Sequence, residues 1–305
     1  MPVLYDIDGP VARITLNRPE RGNSITRETP GELTELIERA NLDPAVHVIA
    51  LAGSGPGFCA GYDLGQALAQ PTSSQVPPKE CSPLDPAVIR ANHRPASAWD
   101  PIADYQMMTH NAGASAALFD SAKPVLCKVQ GYCIGGGADL AISADLIVIA
   151  DDAKIGHPPA RVWGAPTSGL WAQRLGAMRA KRLLLTGDSL SGRDAVSWGL
   201  AIESAPADLL DHRFELLLNR IAQVPISQLV MHKLLINEQV HQQGLHASRL
   251  LGTLFDGIAR HTPEGYAFAQ LAESDGWRAA VRARDEPFGD LGTSTFKGIV
   301  NSPHG

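Results

Sequence analysis

Residues 131–140 read GYCIGGGADL and follow a short apolar run, Val125 to Val129. Such a run, set between a proline and a glycine, is typical of a buried strand. The apolar residues after the glycines suit a buried helix, so the three glycines at 135–137 join a strand to a helix. Glycine lets a ligand approach the backbone closely, and the first N–H groups of a helix lack internal partners. This turn therefore suits an oxygen that carries or develops negative charge.

A second glycine-rich turn lies upstream, in GSGPGFCAGYDL at residues 53–64, and it also follows an apolar run, residues 46–52. Two turns of this kind can each direct one N–H group at the same oxygen, which is the minimum for an oxyanion hole. The alternative is that the glycines only allow a helix to pack tightly on a strand. The glycines alone leave both interpretations open.

Composition argues for a globular protein with a small-molecule ligand. The chain has 305 residues, of which 44% are apolar and 19% charged, and its formal charge is −6. No basic block occurs, so nucleic acid and anionic membranes are not expected as partners. We find no secretory signal and no run of about 20 apolar residues.

The four cysteines form no CxxC pair, which favours reduced thiols and a cytoplasmic location. They are Cys59, Cys81, Cys127 and Cys133. A reactive thiol at Cys59 or Cys133 is the less favoured interpretation.

Hydrophobic periodicity predicts a mixed α/β fold whose strands end near residue 205. Residues 3–17 predict a hairpin around Asp8-Gly9-Pro10, and Thr29-Pro30-Gly31-Glu32 matches a capping box at the start of a helix. Further predicted strands are 46–52, 125–129, 145–150 and 154–156, and further predicted helices before residue 205 are 104–119, 171–175, 179–185 and 193–198. Beyond Pro206 the pattern is helical, at 209–224, 226–241, 247–260 and 264–284. We therefore divide the chain into a core, residues 1–205, and a helical region, residues 206–305.

Residues 65–100 lack clear periodicity and are rich in proline and serine. A long loop inside a compact domain is usually functional or disordered. We interpret this segment as a surface excursion near the site that gates access to it.

Several cofactor and nucleophile motifs are absent from the sequence. Phe58 replaces the third glycine of a dinucleotide fingerprint, and there is no phosphate-binding loop, GxSxG or HExxH motif. His241 and His246 are five residues apart, which is not the spacing of two metal ligands on one helix face. We therefore predict no metal and no separate cofactor.

One acid, Asp139, lies about a turn into the helix that follows the glycines. An aspartate there interacts favourably with the helix dipole, which is a purely structural explanation. The functional interpretation is an acid or base that moves a proton at the carbon next to a polarised carbonyl. Position alone does not decide between them.

Taken together, these motifs resemble the crotonase superfamily, also called the enoyl-CoA hydratase/isomerase family. FCAGYDL at 58–64 is similar to its first signature, and KPV at 123–125, GYCIGGGADL and Asp145 are similar to its second. NRPE at 17–20 and LTGD at 185–188 also fit. The resemblance runs from about residue 3 to residue 285.

The resemblance implies a core of spiralling β-β-α units and a C-terminal helical region used for trimerisation, often in a dimer of trimers. It implies an acyl-CoA thioester as substrate, with coenzyme A as part of that substrate. Tyr62 and Gly136 would supply the oxyanion N–H groups, and Asp139 would act as acid or base. The substrate-binding residues would be Arg18, Arg21, Ala60, Gly61, Asp63, Gly135, His157, Arg161 and Trp163.

The chain departs from the family pattern at its acids. Hydratases of this family place one glutamate in the helix after the glycines and a second twenty residues later, where this chain has Asp139 and Pro159. Proline cannot exchange a proton, so the two-carboxylate mechanism of water addition is not intact. His157 and Arg161 remain as substitutes in that loop, although each also fits a packing or loop-holding role. Trp163, Trp171 and Tyr62 either wall an acyl pocket or belong to the core.

Two hypotheses follow. The first is an enoyl-CoA hydratase/isomerase-type enzyme, a lyase or isomerase of the kind found in fatty acid metabolism, in which an oxyanion hole stabilises an enolate-like intermediate. An isomerase or other lyase that uses a single carboxylate is the alternative within this class. The second hypothesis, favoured by Pro159, is a catalytically weak acyl-CoA-binding protein.

Overall fold

The computed structural model describes residues 2–67 (residues 66 and 67 by their backbone alone), 82–95 and 97–289. Within these residues a six-stranded sheet has the order β1-β2-β3-β4-β6-β9, and a three-stranded sheet has the order β5-β7-β8. The strands are β1 Val3–Asp8, β2 Val11–Leu16, β3 Val48–Gly53, β4 Val125–Val129, β5 Tyr132–Ile134, β6 Leu146–Ala150, β7 Lys154–Gly156, β8 Ser189–Ser191 and β9 Glu203–Ala205.

The large sheet is parallel except at its first pair. Strands β1 and β2 form the predicted antiparallel hairpin, which turns at Gly9 with φ of 56°. Strand β4 pairs with β3 on one side and β6 on the other, so that Cys127 faces Leu51 and Ile147 in the register. Parallel strands are covered on both faces, which explains why the sequence shows continuous apolar runs here.

Thirteen helices are described within residues 2–67, 82–95 and 97–289. Those before residue 205 are α1 Thr29–Leu42, α2 Leu64–Ala67, α3 Pro86–Asn92, α4 Pro101–Asp120, α5 Gly136–Ser143, α6 Leu170–Leu175, α7 Ala177–Leu184 and α8 Gly192–Trp198. The helices after residue 205 are α9 Leu210–Ala222, α10 Ile226–Gln242, α11 Leu245–Arg260, α12 Pro263–Asp275 and α13 Trp277–Asp285. Helix α4 packs against α1 and α11, and therefore joins the two parts of the chain.

Helix α5 lies in the core, and every one of its residues is buried. Its C-terminal end is held by Arg174, which donates to the carbonyl of Ile142 at 2.6 Å and to that of Ala144. A cation at this end also compensates the helix dipole. Such fixation makes α5 a rigid support for any group placed at its N-terminus.

The structure corrects three details of the sequence analysis. Thr29 does not cap α1: it is the first helical residue, and its hydroxyl accepts a hydrogen bond from Thr26 N at 3.1 Å. The segment 65–100 contains helix α3, which the proline-rich sequence concealed; residues 68–81 and 96 of that predicted loop lie outside the described residues. The predicted helix 264–284 is broken into α12 and α13 at Gly276, whose φ is 89°.

Three of the four cysteines are described, and all three are buried free thiols, in agreement with the sequence analysis. Burial raises the pKa of Cys59 to about 12, and it also raises the pKa of Cys133 well above its ordinary value. A thiol that stays protonated is a poor nucleophile, so the reactive-thiol interpretation receives no support. Among the described helices, none has the length and apolarity that crossing a lipid bilayer requires.

Candidate active site

A cavity of about 1000 Å³ opens between the two glycine turns, α3, α4 and the C-terminal helices α11–α13. Most of the site residues predicted from the sequence line it. These are Arg21, Ala60, Gly61, Tyr62, Asp63, Gly135, Gly136, Asp139, His157 and Trp163. Arg18 and Arg161 do not line it.

The two glycine turns meet at the wall of this cavity. Ile134 N donates to the carbonyl of Cys59 at 2.9 Å, which ties β5 to the first turn. A Cβ added to Gly61 would lie 2.9 Å from the carbonyl oxygen of Ile134, and one added to Gly136 would lie 2.6 Å from the ring of Tyr62. Glycine at both positions therefore allows the two turns to approach each other closely.

The N–H groups of Tyr62 and Gly136 lie at this junction. Ile25 N donates to the carbonyl of Gly61, and Asp63 N donates to the carbonyl of Ile25, both at 2.9 Å. Ile25 therefore bonds to the residues on either side of Tyr62 and does not use the N–H of Tyr62. Gly136 is the first residue of α5, where an N–H has no partner within the helix. Within the described residues, neither N–H takes part in a backbone hydrogen bond between elements.

Asp139 projects from the first turn of α5 into the cavity wall and is only 3% exposed. Its Oδ1 accepts a hydrogen bond from the indole Nε1 of Trp171 at 3.1 Å. Its Oδ2 accepts from the hydroxyl of Thr167 at 3.2 Å and from the N–H of Thr167 at 3.4 Å. These three donors fix the orientation of the carboxylate. Trp171 thus positions Asp139 and does not itself line the cavity.

His157 lies beside Asp139, between β7 and the short 3₁₀ turn Pro158–Arg161. Its Nδ1 is 4.0 Å from Oδ1 of Asp139, and its ring packs edge-on against Trp171. The side chain is 4% exposed, and neither ring nitrogen has a hydrogen-bond partner within the described residues. A buried imidazole with two unpartnered nitrogens at a cavity wall is available to a ligand.

Pro159 occupies the position at which hydratases of this family carry a second glutamate. Its ring lies against Gly135, where an added Cβ would be 3.1 Å from its Cγ, and its carbonyl accepts from Gly164 N at 3.1 Å. The loop after β7 therefore brings no carboxylate to the cavity.

Arg18 and Arg161 hold loops together, a role that the sequence analysis left open for Arg161; their part in substrate binding stays a prediction. Arg18 pairs with Asp63 at 3.0 Å and donates to the carbonyl of Ser24 at 3.0 Å, so it fixes the first glycine turn. Arg161 pairs with Asp285 at 3.1 Å and with Asp188 at 3.4 Å. A planar guanidinium with several donors suits such a junction.

The structure adds an acid that the sequence analysis missed, Asp256 on α11. Its Oδ1 accepts a hydrogen bond from Ala165 N at 2.9 Å, and its Oδ2 is 3.2 Å from Arg260 Nη2. Burial raises the pKa of Asp256, and the nearby charge of Asp139 adds to this, whereas Arg260 acts in the opposite direction. In the sequence, the only sign of this acid was its position between Phe255 and Gly257 within a predicted helix.

An aromatic wall closes the far side of the cavity. His93 stacks on Trp163 with ring centroids 5.8 Å apart and on His261 at 4.6 Å. Trp163 has φ of 82°, a strained conformation for a tryptophan that is often found at functional sites. Burial lowers the pKa of His93 to about 4, so the imidazole is neutral near pH 7. The sequence analysis offered Trp163 for the wall of an acyl pocket, whereas the part supplied by His93, next to α3, was not predicted.

Behind the wall, Asp104 on α4 lies 2.7 Å from Nε2 of His261 and accepts from Trp99 Nε1 at 2.8 Å. One potential ligand atom from each of His93, Asp104 and His261 lies within 4.8 Å of the others. The sequence analysis considered only His241 and His246 as metal ligands and did not detect this cluster.

The family model described as Enoyl-CoA hydratase/isomerase matches residues 6–91 and 101–267 of the chain. Among curated relatives, the chain is 31% identical over 217 residues to (E)-benzylidenesuccinyl-CoA hydratase of Thauera aromatica, covering 68% of this chain and 73% of the relative. It is 29% identical over 241 residues to 1,2-epoxyphenylacetyl-CoA isomerase of Escherichia coli K12, covering 77% and 81%.

A crystal structure of an enoyl-CoA hydratase from Mycobacterium smegmatis superimposes with a TM-score of 0.89, at 48% identity, and the match covers 98% of both chains. The chain therefore belongs to the enoyl-CoA hydratase/isomerase family, with the crotonase fold. It is an enzyme of the crotonase type, a hydratase or an isomerase.

Proposed function

We propose that this enzyme binds an acyl-CoA thioester with its carbonyl oxygen at the N–H groups of Tyr62 and Gly136, and that Asp139 is an acid–base group beside that carbonyl. The observation that carries the proposal is the meeting of the two glycine turns at one point of the cavity wall, beside a buried carboxylate. Two backbone donors there stabilise the enolate-like oxygen that forms when the thioester is attacked or deprotonated.

The reaction class follows from what this site stabilises. Negative charge that develops on a thioester oxygen makes the neighbouring carbon acidic and the next carbon open to attack by water. Hydration of an enoyl-CoA and migration of its double bond both pass through such an intermediate. Loss of a single oxyanion donor costs about 2.7–4 kcal/mol of barrier in comparable sites, so the backbone provides a large part of the catalysis.

Binding and turnover of a panel of enoyl-CoA thioesters test the proposal. Calorimetry measures binding, loss of absorbance of the conjugated thioester measures hydration, and mass spectrometry of the product separates hydration from isomerisation. Turnover of at least one ester supports the proposal. Tight binding without turnover of any ester favours the acyl-CoA-binding alternative, and failure to bind any CoA ester contradicts both.

Isomerisation with a single carboxylate is the second candidate function. The observation that favours it is Pro159, because the loop that carries the second acid of family hydratases offers none here. A product of unchanged mass but shifted double bond would identify this activity.

The coenzyme A portion is proposed to lie along the cavity edge at Arg21 and Ala60, where the cavity lining also includes Lys154. The phosphates of the ligand are anionic, and cations at the mouth attract them. These side chains are not among the groups that we assign to proton transfer, so they should affect binding more than chemistry.

Arg21→Ala is expected to raise KM for an acyl-CoA by about two- to five-fold with kcat unchanged, because an exposed ion pair contributes about 0.2–1 kcal/mol. The effect should shrink as salt is raised from 0.05 to 0.5 M, since salt screens exposed charges. Steady-state kinetics at both salt concentrations measure this. Arg220→Ala, which removes an exposed arginine on α9, is the control, and a fall in kcat with KM unchanged would contradict the assignment.

Self-association as a trimer or hexamer is also proposed. Helices α10 and α11 carry large apolar side chains that are about half or more exposed in the single chain: Met231, Leu234, Leu235, Ile236, Leu251 and Phe255. An exposed apolar patch of this kind favours a protein interface. The partner we propose is a second copy of the chain, as the family resemblance implies.

Leu235→Asp is expected to shift the protein from the oligomer to the monomer, because a carboxylate buried in an apolar interface carries a large desolvation cost. Leu235 is 69% exposed in the single chain. Size-exclusion chromatography with light scattering measures the mass. Leu216→Asp is the matched control, because Leu216 lies on α9 and is 51% exposed. Equal masses for wild type and Leu235→Asp would contradict the interface.

A further inference from the structure

One short loop holds two acids of the cavity at once. Ala165 N donates to Oδ1 of Asp256 at 2.9 Å, and Thr167 N donates to Oδ2 of Asp139 at 3.4 Å. Residues two apart in a chain are separated by at most about 7 Å, so the two donors are near neighbours. Both acids line the same cavity, although they are far apart in sequence.

Helix α11 packs closely on this loop at a position where it has a glycine. A Cβ added to Gly252, one turn before Asp256, would lie 2.5 Å from the carbonyl oxygen of Pro166 and 2.8 Å from the carbonyl carbon of Thr167. A glycine there lets the helix rest directly on the loop. On the other side, a Cβ added to Gly164 would lie 3.3 Å from Oδ1 of Asp256. Asp256 is therefore placed at the cavity by close contacts on both sides.

The two acids differ in their hydrogen-bond partners. Asp139 receives three hydrogen bonds and lies in the first turn of α5. Asp256 receives one backbone hydrogen bond and is partnered by Arg260, yet burial raises the pKa of its carboxyl. Two carboxyl groups in environments of unequal polarity are suited to opposite roles, one as base and one as acid.

We propose that Asp256 is the second acid–base residue of the site and replaces the glutamate that Pro159 displaces. The inference rests on the proposed function and specifies how water is added. Asp139 takes a proton from water as the oxygen bonds to the β-carbon. The π electrons move to the α-carbon and the thioester oxygen, and Asp256 delivers its proton to the α-carbon.

These reaction steps leave Asp139 protonated and Asp256 ionised, so one proton must return to Asp256 before the next turnover. His157 lies beside Asp139, with its Nδ1 4.0 Å from Oδ1, and it lines the same cavity as Asp256. Neither of its nitrogens has a hydrogen-bond partner within the described residues. The imidazole accepts a proton at one nitrogen and releases one from the other, which returns the proton from Asp139 to Asp256 without any further reactant.

Asp256→Asn tests the assignment, because the amide oxygen still accepts the hydrogen bond of Ala165 N while the acid is lost. The hydration kcat is expected to fall by about 10²–10⁴-fold, the range for a general acid or base, with affinity for the ester within about two-fold of wild type. The sharper readout is exchange of the α-proton of the corresponding saturated acyl-CoA in D₂O, followed by mass spectrometry.

Exchange at the α-carbon needs Asp256 and the oxyanion donors but not the activation of water. It should therefore be lost in Asp256→Asn and retained in Asp139→Asn. Exchange at the wild-type rate in Asp256→Asn overturns the inference, as does loss in Asp139→Asn with retention in Asp256→Asn. A wild-type protein that binds no CoA ester would instead contradict the proposed function itself.

Measurements of stability and a second variant distinguish a catalytic role of Asp256 from a purely structural one. Thermal unfolding of each variant shows whether the fold persists, and Glu238→Gln, an exposed acid on α10, is the control for loss of one carboxylate. Asp256→Ser, which also lacks the acid and retains an acceptor oxygen, replaces the asparagine variant if that protein does not fold. A folded Asp256→Ser variant that exchanges the α-proton at the wild-type rate would also overturn the inference.

Discussion

Asp139→Asn is expected to lower kcat for the acyl-CoA reaction by about 10²–10⁴-fold, the contribution of a positioned acid or base. The change removes the proton-accepting oxygen but keeps the shape of the side chain. The acid is held in place by hydrogen bonds from Trp171 and Thr167, on a helix whose residues are all buried, and an amide in its place cannot take up the proton. Binding of the ester, which depends on the backbone donors, should change by less than about two-fold.

The measurement is steady-state kinetics on the ester that wild type turns over fastest, together with calorimetry of a non-reactive acyl-CoA. Asp275→Asn, at the exposed end of α12, is the matched control and should behave as wild type. Equal turnover by wild type and Asp139→Asn would remove Asp139 from the mechanism. A large loss of ester affinity in Asp139→Asn would indicate that Asp139 supports binding and not proton transfer.

Gly136→Ala is expected to have an effect of similar size, about 10²–10³-fold in kcat, because the new Cβ would lie 2.6 Å from the ring of Tyr62. That distance is far inside van der Waals contact, so the Tyr62 ring or the start of α5 must shift. Either shift would disturb the junction at which we place the thioester oxygen. Kinetics and thermal unfolding of the same preparation distinguish lost catalysis from a lost fold.

Gly113→Ala is the control for a glycine-to-alanine change. Gly113 lies within α4, and the nearest atom to an added Cβ is Thr34 Oγ1 at 4.0 Å, which is ordinary contact. Alanine is favoured over glycine in a helix by roughly 0.5–1 kcal/mol, so this variant should be active and slightly more stable. If Gly136→Ala were as active as Gly113→Ala, the meeting of the two turns would not matter for catalysis.

The elements that the sequence predicted well are those with strong local signals. An apolar run between Pro124 and Gly131 located β4, an apolar run closed by Asp151-Asp152 located β6, and the helical periodicity after Pro206 located α9 to α11. The glycines at 135–137 also announced a turn into a buried helix. Each of these depends on a pattern of neighbouring residues that one sequence contains.

Other features depend on contacts between distant parts of the chain. Asp256 reaches the cavity because Gly252 lets α11 pack on the loop at Pro166. The sequence of residues 245–260 does not indicate that the helix contacts this distant loop. Arg18 and Arg161 have the residue type of ligand-binding arginines, yet Asp63 and Asp285 engage them. Charge partners that are 45 and 124 residues away cannot be assigned from spacing.

The cavity is walled on one side by the glycine turns and α5, and on the other by helices from the end of the chain. Apart from Asp256 on α11, the groups that would activate the thioester and those that would surround its acyl chain therefore lie on separate stretches of sequence. Substitutions within α12 and α13 can alter which acyl group is accepted while the activating groups stay unchanged. A scaffold divided in this way allows relatives to diverge in substrate without reinventing the reaction.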